Sequence, residues 1–400
     1  MKLAKTYEPQ AYEPQIYTLW ETSKAFAPTG DPARGYFSIT FPPPNANGSL
    51  HVGHALTVAV EDAAIRYHRL KGEATVFLPG ADHAGFETWV VYEKQLEKEG
   101  KSRFDLSRDE LYTRVWDFVQ SQRGNMEVQL RELGASLDWD NLTFTLDEKV
   151  VKTAYATFKK LWDDGLVYRG ERIVNYCTKH QTSFADIEVI HKNEKSKLWQ
   201  IAYTLVDKVG EIVVATTRPE TILGDTAIAV NPNDERYKHL IGTRAWVPIV
   251  NREIPIIADD VVDASFGTGA VKVTPAHDPV DFEIGERHGL PIIEVIGFDG
   301  KITGEAPHAF KGLDALEARK RILNSLESAE QIRDTQDYTH SVGHCYKCGT
   351  IIQPLIKDQW FLRVQPLAQK AIAAIEAGKI TFTPANKGKV LVNYLKNLKD

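Results

Sequence analysis

Cysteine, methionine and long apolar runs are all scarce in this sequence. Its 400 residues include three cysteines and two methionines, and the most apolar stretch, VPIVNREIPIIADDVV, is interrupted by charged side chains. No run therefore has the length of a membrane span. The N-terminal MKLAKTYEPQAYEPQ is polar and has no apolar signal core. Few cysteines in a chain of this size are typical of a reducing compartment, so we expect a cytoplasmic protein without membrane contacts.

An excess of positive charge is also missing. Lysine and arginine total 48 against 54 aspartates and glutamates, which leaves a net charge of −6. Without a global basic field, any contact with RNA must come from a local patch or from a part outside this sequence. A composition of 43% hydrophobic and 26% charged residues is typical of a soluble globular protein. The length predicts two or three domains rather than a single core.

The stretch FSITFPPPNANGSLHVGHAL, residues 37–56, organises the first part of the chain. An apolar run at 36–41 predicts a buried strand, which the prolines at 42–44 end because they cannot donate a backbone hydrogen bond. Turn residues follow, and Ser49 is suited to cap a helix over about 50–70. His51 and His54 then lie on the first helical turn, and Gly53 between them leaves space for a ligand.

A helix N-terminus of this kind is suited to bind phosphate. Its free amides and dipole attract an anion, and two imidazoles add donors for developing negative charge. A strand–helix crossover with two surface histidines is the alternative. The longer match PPPNANGSLHVGHAL resembles the first signature of the class I aminoacyl-tRNA synthetases, in the form of the valine-specific branch. The resemblance implies an α/β fold, the first half of a Rossmann-type nucleotide-binding domain, in which His51, Gly53 and His54 serve catalysis with ATP and Mg²⁺.

Asp82 follows a second predicted strand at 74–78. In doubly wound sheets ligands bind at the carboxyl ends of the strands, where a carboxylate can pair with a substrate ammonium group. A turn or capping aspartate is the alternative. The surrounding PGADHAG resembles the valine-specific branch, whereas the FETW that follows it departs from the usual pattern. The resemblance implies that the amino acid is bound by Pro42, Pro43, Asn45 and Asp82.

Short alternating strands from about residue 167 predict a β-rich domain inserted into the α/β one, over about 186–337, with helices only at 278–288 and 313–327. Two of its stretches, TTRPETILGDTAIAV and GTGAVKVTPAHDPVDFEIG, contain too many hydroxyl groups, glycines and acids to be mere core. Capped surface loops are the alternative. Together they resemble the two signatures of the hydrolytic editing domain shared by the valyl, isoleucyl and leucyl synthetases. The implied editing residues are Thr216, Thr217, Arg218, Thr221, His277, Asp278 and Asp281, the last at the position that binds the substrate ammonium group.

The cysteines flank this insertion in two short motifs. Cys177-x-x-His180 precedes it and Cys345-x-x-Cys348 follows it. Two such pairs supply four soft ligands, as in a structural zinc site. His344 is a competing ligand, and reduced thiols without metal are the alternative.

The resemblance covers nearly the whole chain and implies three segments. These are the first half of the catalytic domain (1–180), a β-barrel-like editing domain (181–343), and the zinc motif with a return strand at 353–363 into the catalytic domain (344–400). The second catalytic signature of the family, a lysine-bearing KMSKS loop, is not found in the sequence. EKSK at 194–197 matches it only superficially and is interpreted as a solvated turn. We therefore expect the N-terminal part of a longer protein, without the KMSKS half and the anticodon-binding domain.

The implied activity is ATP-dependent activation of valine, its transfer to tRNA(Val), and hydrolysis of mischarged threonyl-tRNA(Val), by a monomer. Three alternatives stay open. An isoleucyl-type synthetase is disfavoured by PPPNANG and DHAG. A non-enzymatic or editing-only tRNA-binding fragment would follow if the 400 residues were the whole gene product. Another nucleotidyltransferase with an HxGH helix would lack the two editing stretches, so these stretches disfavour it.

Overall fold

The computed structural model of the protein describes residues 6–28, 30–206 and 208–400. The chain divides into two units, Met1–Asp164 and Gly165–Asp400. The domain boundaries expected from the family, at 180/181 and 343/344, stay predictions. In the part of the chain that is described, no helix combines the length and the apolar character needed to cross a membrane.

The first unit alternates helices with short strands. Its helices are α1 (Pro9–Thr22), α2 (Val52–Leu70), α3 (Gly85–Lys98), α4 (Arg108–Glu132) and α5 (Glu148–Asp163). Its strands are β1 (Asp31–Ile39), β2 (Glu73–Phe77), β3 (Gly80–Ala81) and β4 (Thr143–Phe144). The helix α1 begins at Pro9, because proline fixes a helical φ and needs no amide partner in the first turn.

The strand β1, the helix α2 and the strand β2 form a β-α-β unit. The strands β1 and β2 are parallel, with Ile39 opposite Phe77, and β3 pairs parallel with β4. Parallel neighbours joined by a helix are typical of α/β folds, as predicted. The core of this unit includes Ile65 of α2, Leu96 of α3 and Met126 of α4, all fully buried.

Ser49 does not cap α2, contrary to the prediction. The helix begins at Val52, and the cap is His51, whose Nδ1 accepts a hydrogen bond from the Gly53 amide at 3.1 Å. The Ser49 hydroxyl instead accepts from Asn125 of α4 at 3.2 Å. The helix therefore begins two residues later than its sequence suggested.

The second unit is rich in strands. Its strands are β5 (Val167–Cys177), β6 (Thr182–Phe184), β7 (Val189–Thr204), β8 (Glu211–Thr216), β9 (Ala227–Val230), β10 (Arg244–Val247), β11 (Arg252–Ala258), β12 (Ala270–Val273), β13 (Ile332–Cys345) and β14 (Gln353–Leu362). Its helices are α6 (Pro279–His288), α7 (Ala315–Ser328), α8 (Gln365–Glu376) and α9 (Asn386–Lys396). The first two lie within two residues of the helices predicted for the insertion. The strand β14 coincides with the strand predicted at 353–363 and pairs with β5, while its return into the catalytic domain stays a prediction.

Three sheets build this unit. One has four strands in the order β10-β11-β9-β12, and the others have the orders β13-β7-β8 and β14-β5-β6. The long antiparallel pair of β7 and β13 runs the whole way from the core to the cysteine motif. A core of apolar side chains from β7, β8, β9, β11 and α7 includes Ile201, Val214, Ile228, Ile256 and Ile322.

The EKSK segment at 194–197 is not a turn. It lies inside β7, where Glu194 is opposite His340 and Lys197 is opposite Asp337 of β13. The Lys197 ammonium lies 3.1 Å from the Asp337 carboxylate, and both side chains are exposed. The polar letters suggested a loop, but cross-strand pairing with a partner more than a hundred residues away makes them part of a two-stranded ribbon.

Candidate functional site

The two histidines at the start of α2 cap the helix reciprocally. The Nδ1 atom of His51 accepts from the Gly53 amide at 3.1 Å, and Nδ1 of His54 accepts from the His51 amide at 3.2 Å. A neutral imidazole has one donor and one acceptor, so both rings carry their proton on Nε2. Burial, together with the neighbouring His51, lowers the pKa of His54, which favours this neutral form. The pair thus offers two N–H donors at the positive end of a helix dipole.

Gly53 is required by the histidine that precedes it. A Cβ at this position would lie 2.9 Å from the His51 ring, so any larger residue would displace the capping imidazole. The space predicted for a ligand is therefore filled by His51. The loop before the cap is fixed by a hydrogen bond, in which the Leu50 amide donates to the Gln129 side chain of α4 at 2.8 Å.

The predicted amino-acid site residues converge around Asp82. The backbone of Asn45 forms a parallel bridge with Asp82, in which the Asp82 amide donates to the Pro44 carbonyl at 2.9 Å. The Ala46 amide donates in return to the Asp82 carbonyl at 2.8 Å. Pro43 is exposed and packs beside Gly80, where a Cβ would come within 3.1 Å of the proline ring. The exposed Pro42 precedes it in the same loop.

The Asp82 side chain is half-buried, and within residues 6–28, 30–206 and 208–400 its carboxylate has no hydrogen-bond or ion-pair partner. Its backbone is fully used by the bridge to the proline loop. The backbone of Asp82 is therefore fixed, and its carboxylate is available to accept a charged donor. That it binds an ammonium ion stays a prediction.

The first editing stretch forms the end of β8 and a short 3₁₀ helix, Pro219–Gly224. The Thr216 hydroxyl accepts from the Arg218 amide at 3.0 Å, and the Thr221 hydroxyl donates to the Arg218 carbonyl at 3.0 Å. Thr216 and Thr221 are buried, while Thr217 is half-buried. The hydroxyl groups thus shape the backbone around Arg218.

Arg218 holds the two editing stretches together. Its Nη1 donates to the His277 carbonyl at 3.0 Å, and its Nε donates to Glu220 at 3.1 Å. Glu220 is 1% exposed and also receives two hydrogen bonds from Arg319 of α7. Burial acts to raise the pKa of Glu220, but Arg319 and Arg218 outweigh it and hold the pKa below its ordinary value. The carboxylate is therefore ionised and fixes the guanidinium.

His277 is a buried acceptor rather than a base. Its Nε2 accepts from the amides of Val295 and Ile296 at 2.9 and 3.2 Å. Burial lowers its pKa to about 3, Arg218 acts in the same direction, and the Pro354 backbone opposes them. The ring is neutral at any physiological pH, so His277 positions the loop at 295–296 and, through its carbonyl, Arg218.

The two aspartates of the second stretch differ in environment. Asp278 caps α6, accepting from the Val280 amide at 2.8 Å and the Asp281 amide at 3.2 Å. Asp281 is buried, and its carboxylate accepts from the Thr274 amide at 2.8 Å. Burial, reinforced by Asp278, raises the pKa of Asp281 to about 7. A cation that approached this carboxylate would offset the cost of its burial.

Sequence analysis missed a buried polar group beside Asp281. Asp225 accepts from Lys272 at 3.0 Å, from the Thr274 hydroxyl at 2.6 Å and from the Tyr203 hydroxyl at 2.6 Å. Lys272 is 6% exposed and Asp225 is fully buried. The signal in the sequence was Lys272 in the otherwise apolar strand β12, with Thr274 two residues later on the same face. A charge in a buried strand needs a buried partner of opposite charge.

Four ligand atoms meet at the cysteine motifs. The reactive atoms of Cys177, His180, Cys345 and Cys348 all lie within 4.8 Å of one another. The sulfurs of Cys177 and Cys348 are 3.6 Å apart, and His180 Nδ1 is 3.6 Å from the sulfurs of both Cys177 and Cys345. Tetrahedral Zn²⁺, with bonds of about 2.3 Å to sulfur and about 2.0 Å to nitrogen, places its ligands roughly 3.5–3.8 Å apart. The donor set therefore fits zinc.

His344 does not belong to this group. Its Nδ1 lies 2.9 Å from the Gly349 carbonyl and its Nε2 lies 2.9 Å from the Glu194 carboxylate. The competing ligand considered from the sequence is thus occupied elsewhere. Burial raises the pKa of the Cys177 thiol to about 12, so a bound cation is needed to keep it as a thiolate.

The comparison with known families decides the affiliation of the chain. The model described as tRNA synthetases class I (I, L, M and V) matches residues 15–400. The chain belongs to this family. Membership is consistent with the α/β first unit.

Curated relatives of this class I family member are similar over its entire length. It is 48% identical to a valine–tRNA ligase of Petrotoga mobilis over 401 residues, 44% identical to one of Fusobacterium nucleatum and 45% identical to one of Thermotoga maritima. Each alignment covers 100% of the chain and 45–46% of the relative. The chain thus spans about half the length of the curated relatives it matches.

Among solved structures, the chain aligns with the leucyl-tRNA synthetase in a ternary complex from Agrobacterium radiobacter K84. The TM-score is 0.38 and the sequence identity 19%, and the alignment covers 87% of this chain and 52% of that one.

Proposed function

We propose that the chain carries the first half of the catalytic site and the editing site of a valine-specific tRNA synthetase. The reaction is activation of valine by ATP, transfer to tRNA(Val), and hydrolysis of mischarged threonyl-tRNA(Val). The observation that carries this proposal is the 3.0 Å hydrogen bond from Arg218 to the His277 carbonyl, which brings two polar stretches of the editing type into one site. The identity to valine–tRNA ligases of 42–48% supports valine as the amino acid.

In activation, a valine carboxylate oxygen bonds to the α-phosphorus of ATP while the bond to the β-phosphate oxygen breaks, so that valyl adenylate forms and pyrophosphate leaves. The Asp82 carboxylate pairs with the valine ammonium group, while Pro42, Pro43 and Asn45 line the site through the bridged loop. The Nε2–H groups of His51 and His54 donate to phosphate oxygens as charge develops. Mg²⁺ accompanies ATP as part of the substrate complex.

Editing follows from the similar shapes of valine and threonine. An apolar pocket cannot strongly reject a side chain that merely exchanges a methyl group for a hydroxyl, so a second, polar site must remove the error. The site takes its hydroxyl groups from Thr216, Thr217 and Thr221, and those of Thr216 and Thr221 also hold the Arg218 backbone. Arg218 supplies a fixed positive charge for an oxygen of the tRNA end. Asp281 pairs with the threonine ammonium group, and the adjacent Lys272 and Thr274 hold the buried carboxylates around it.

Zn²⁺ at Cys177, His180, Cys345 and Cys348 has a structural role. These ligands lie at the ends of β5 and β13, so the metal ties together the two connections of the insertion. We further propose a monomer, with the amino-acid and tRNA partners expected from the sequence. An isoleucyl-type specificity and an editing-only role are the rival functions.

The experiment incubates the purified 400-residue chain separately with two substrates. With valine, ATP and labelled pyrophosphate we expect no robust exchange, because the lysine-bearing signature loop is not in this sequence and its transition-state donors are therefore missing. With preformed threonyl-tRNA(Val) we expect deacylation, and valyl-tRNA(Val) should be hydrolysed much more slowly. Faster hydrolysis of valyl-tRNA(Ile) than of threonyl-tRNA(Val) would favour the isoleucyl rival. A chain that hydrolyses neither would contradict the editing assignment.

A further inference from the structure

A glutamine outside both editing stretches contacts Arg218. The carbonyl Oε1 of Gln353, the first residue of β14, accepts a hydrogen bond from Arg218 Nη2 at 2.5 Å. Gln353 lies 135 residues beyond Arg218 in the sequence, past the cysteine motif. Neither its position nor its type marked it as part of a site.

This contact completes the restraint of the guanidinium. The Nε atom of Arg218 is held by Glu220 and Nη1 by the His277 carbonyl, so Gln353 is the partner that fixes Nη2. An arginine has five N–H donors in one plane, and three acceptors around its edge determine both its position and its tilt. Two N–H groups are then left for a substrate.

The strand that carries Gln353 is itself fixed. Gln353 is opposite Tyr176 of β5, the residue before Cys177, and β14 pairs with β5 along its whole length. Leu355 and Ile356, two and three residues further on, are buried. The glutamine therefore has a rigid support, as is needed for a group that positions another.

We infer that Gln353 is a positioning residue for Arg218 in the editing reaction. The inference rests on the proposed editing function. The guanidinium is a rigid plane, and with Glu220 on Nε and the His277 carbonyl on Nη1 it could still tilt about the line that joins these two atoms. Without Gln353 such a tilt would move Nη2 away from the bound tRNA end. Gln353 holds Nη2 through its side-chain carbonyl, which accepts the hydrogen bond. A glutamate at this position has an acceptor at the same distance from the backbone and is expected to hold Nη2 equally well.

The test measures threonyl-tRNA(Val) hydrolysis by the 400-residue chain with its zinc site loaded. Gln353→Ala should lower kcat/KM roughly tenfold, the range expected for one hydrogen bond to a charged group. Gln353→Asn keeps the amide but is one methylene shorter, and should lose as much. Gln353→Glu should restore hydrolysis to within about twofold, since it keeps the acceptor and adds charge.

The matched control is Gln359→Ala on the same strand. Gln359 donates to the Ser183 hydroxyl at 2.7 Å and has no contact with Arg218, so its loss should leave kcat/KM unchanged. In an Arg218→Ala background, Gln353→Ala should have no further effect, because its only route to the reaction has been removed. Thermal unfolding midpoints of all variants separate positioning from loss of fold.

The outcomes distinguish this inference from the function on which it rests. No hydrolysis by the unsubstituted chain would overturn the editing function, and the role of Gln353 with it. Hydrolysis that Gln353→Ala and Gln353→Asn leave unchanged would overturn the inference alone. Equal loss in Gln353→Glu, or a further loss in the Arg218→Ala background, would also overturn it, since the effect would not then pass through Arg218.

Discussion

Lys272 and Asp225 form a buried ion pair whose nitrogen and oxygen are 3.0 Å apart. The Lys272 side chain is 7% exposed and that of Asp225 is inaccessible. Burial raises the pKa of Asp225, and Lys272 is the strongest of the groups that oppose this rise. Each charge therefore depends on the other, and Thr274, hydrogen-bonded to both, connects the pair to Asp281.

Lys272→Met should destabilise the second unit by about 3 kcal/mol or more, because it leaves a carboxylate buried without its cation. Urea unfolding measures the loss. The control is Lys197→Met, whose pair with Asp337 is exposed and should be worth less than about 1 kcal/mol. Equal losses of unfolding free energy in the two variants would show that the buried pair stabilises the protein no more than the exposed pair.

Asp281 should make the stability of the chain depend on pH. Its pKa is about 7 in the folded protein and near 3.9 when unfolded, so the folded state binds the proton more tightly. The contribution is fully present below the unfolded pKa and is lost as the pH rises through about 7. Between pH 5 and pH 8 the unsubstituted chain should lose about 2–3 kcal/mol more than Asp281→Asn, measured by urea unfolding at each pH. Parallel curves for the two proteins would contradict the raised pKa.

Asp82 and Asp281 should separate activation from editing. Asp281→Ala should lower kcat/KM for hydrolysis of threonyl-tRNA(Val) about thirtyfold or more, because a lost charged hydrogen bond costs about 2–3 kcal/mol. Asp82→Ala should leave this hydrolysis intact. In a complete synthetase that contains this chain, Asp82→Ala should abolish valine-dependent pyrophosphate exchange, whereas Asp281→Ala should leave it intact. Normal clearance of threonyl-tRNA by Asp281→Ala would refute its role.

The cysteine cluster should bind one zinc per chain. Elemental analysis after treatment with a weak chelating resin should find one equivalent, and Cys345→Ser should reduce it strongly. His344→Ala is the matched control, since His344 is next to Cys345 but lies outside the cluster, and it should keep the metal. Removing zinc with a strong chelator should lower the thermal unfolding midpoint, because metal binding is coupled to folding. Protein without bound zinc would refute the site.

Local sequence was a good guide wherever the structure is decided by neighbours in the chain. The helix α2, the strand β2 and the helix α6 lie within two residues of the elements predicted from local sequence. The strand predicted as buried at 36–41 instead begins at Asp31, ends at Ile39 and contains no buried residue. The Cys-x-x-His and Cys-x-x-Cys motifs predicted a group of four side chains that the structure does bring together, because the spacing within each motif keeps two of them close. These predictions need no knowledge of distant contacts.

Prediction was wrong where a distant partner decided the outcome. Ser49 has the chemistry of a cap but is held by Asn125 of α4, so His51 takes that place. The EKSK segment has the composition of a turn but is paired along its length with β13. In both cases tertiary contacts outweigh a local preference of about 1 kcal/mol, for a helix cap at Ser49 and for a turn at 194–197.

The sequence by itself determined the family resemblance: two histidines near the start of a helix, an aspartate after a strand, two polar stretches in the β-rich part and two short motifs of cysteine and histidine. Only the tertiary structure decided which polar groups work together. Asp225 meets Lys272 across 47 residues, and Arg218 meets His277 across 59 and Gln353 across 135. The physical reason is that a buried charge must find its partner in space, and strand register, which no short segment of sequence contains, determines where that partner lies.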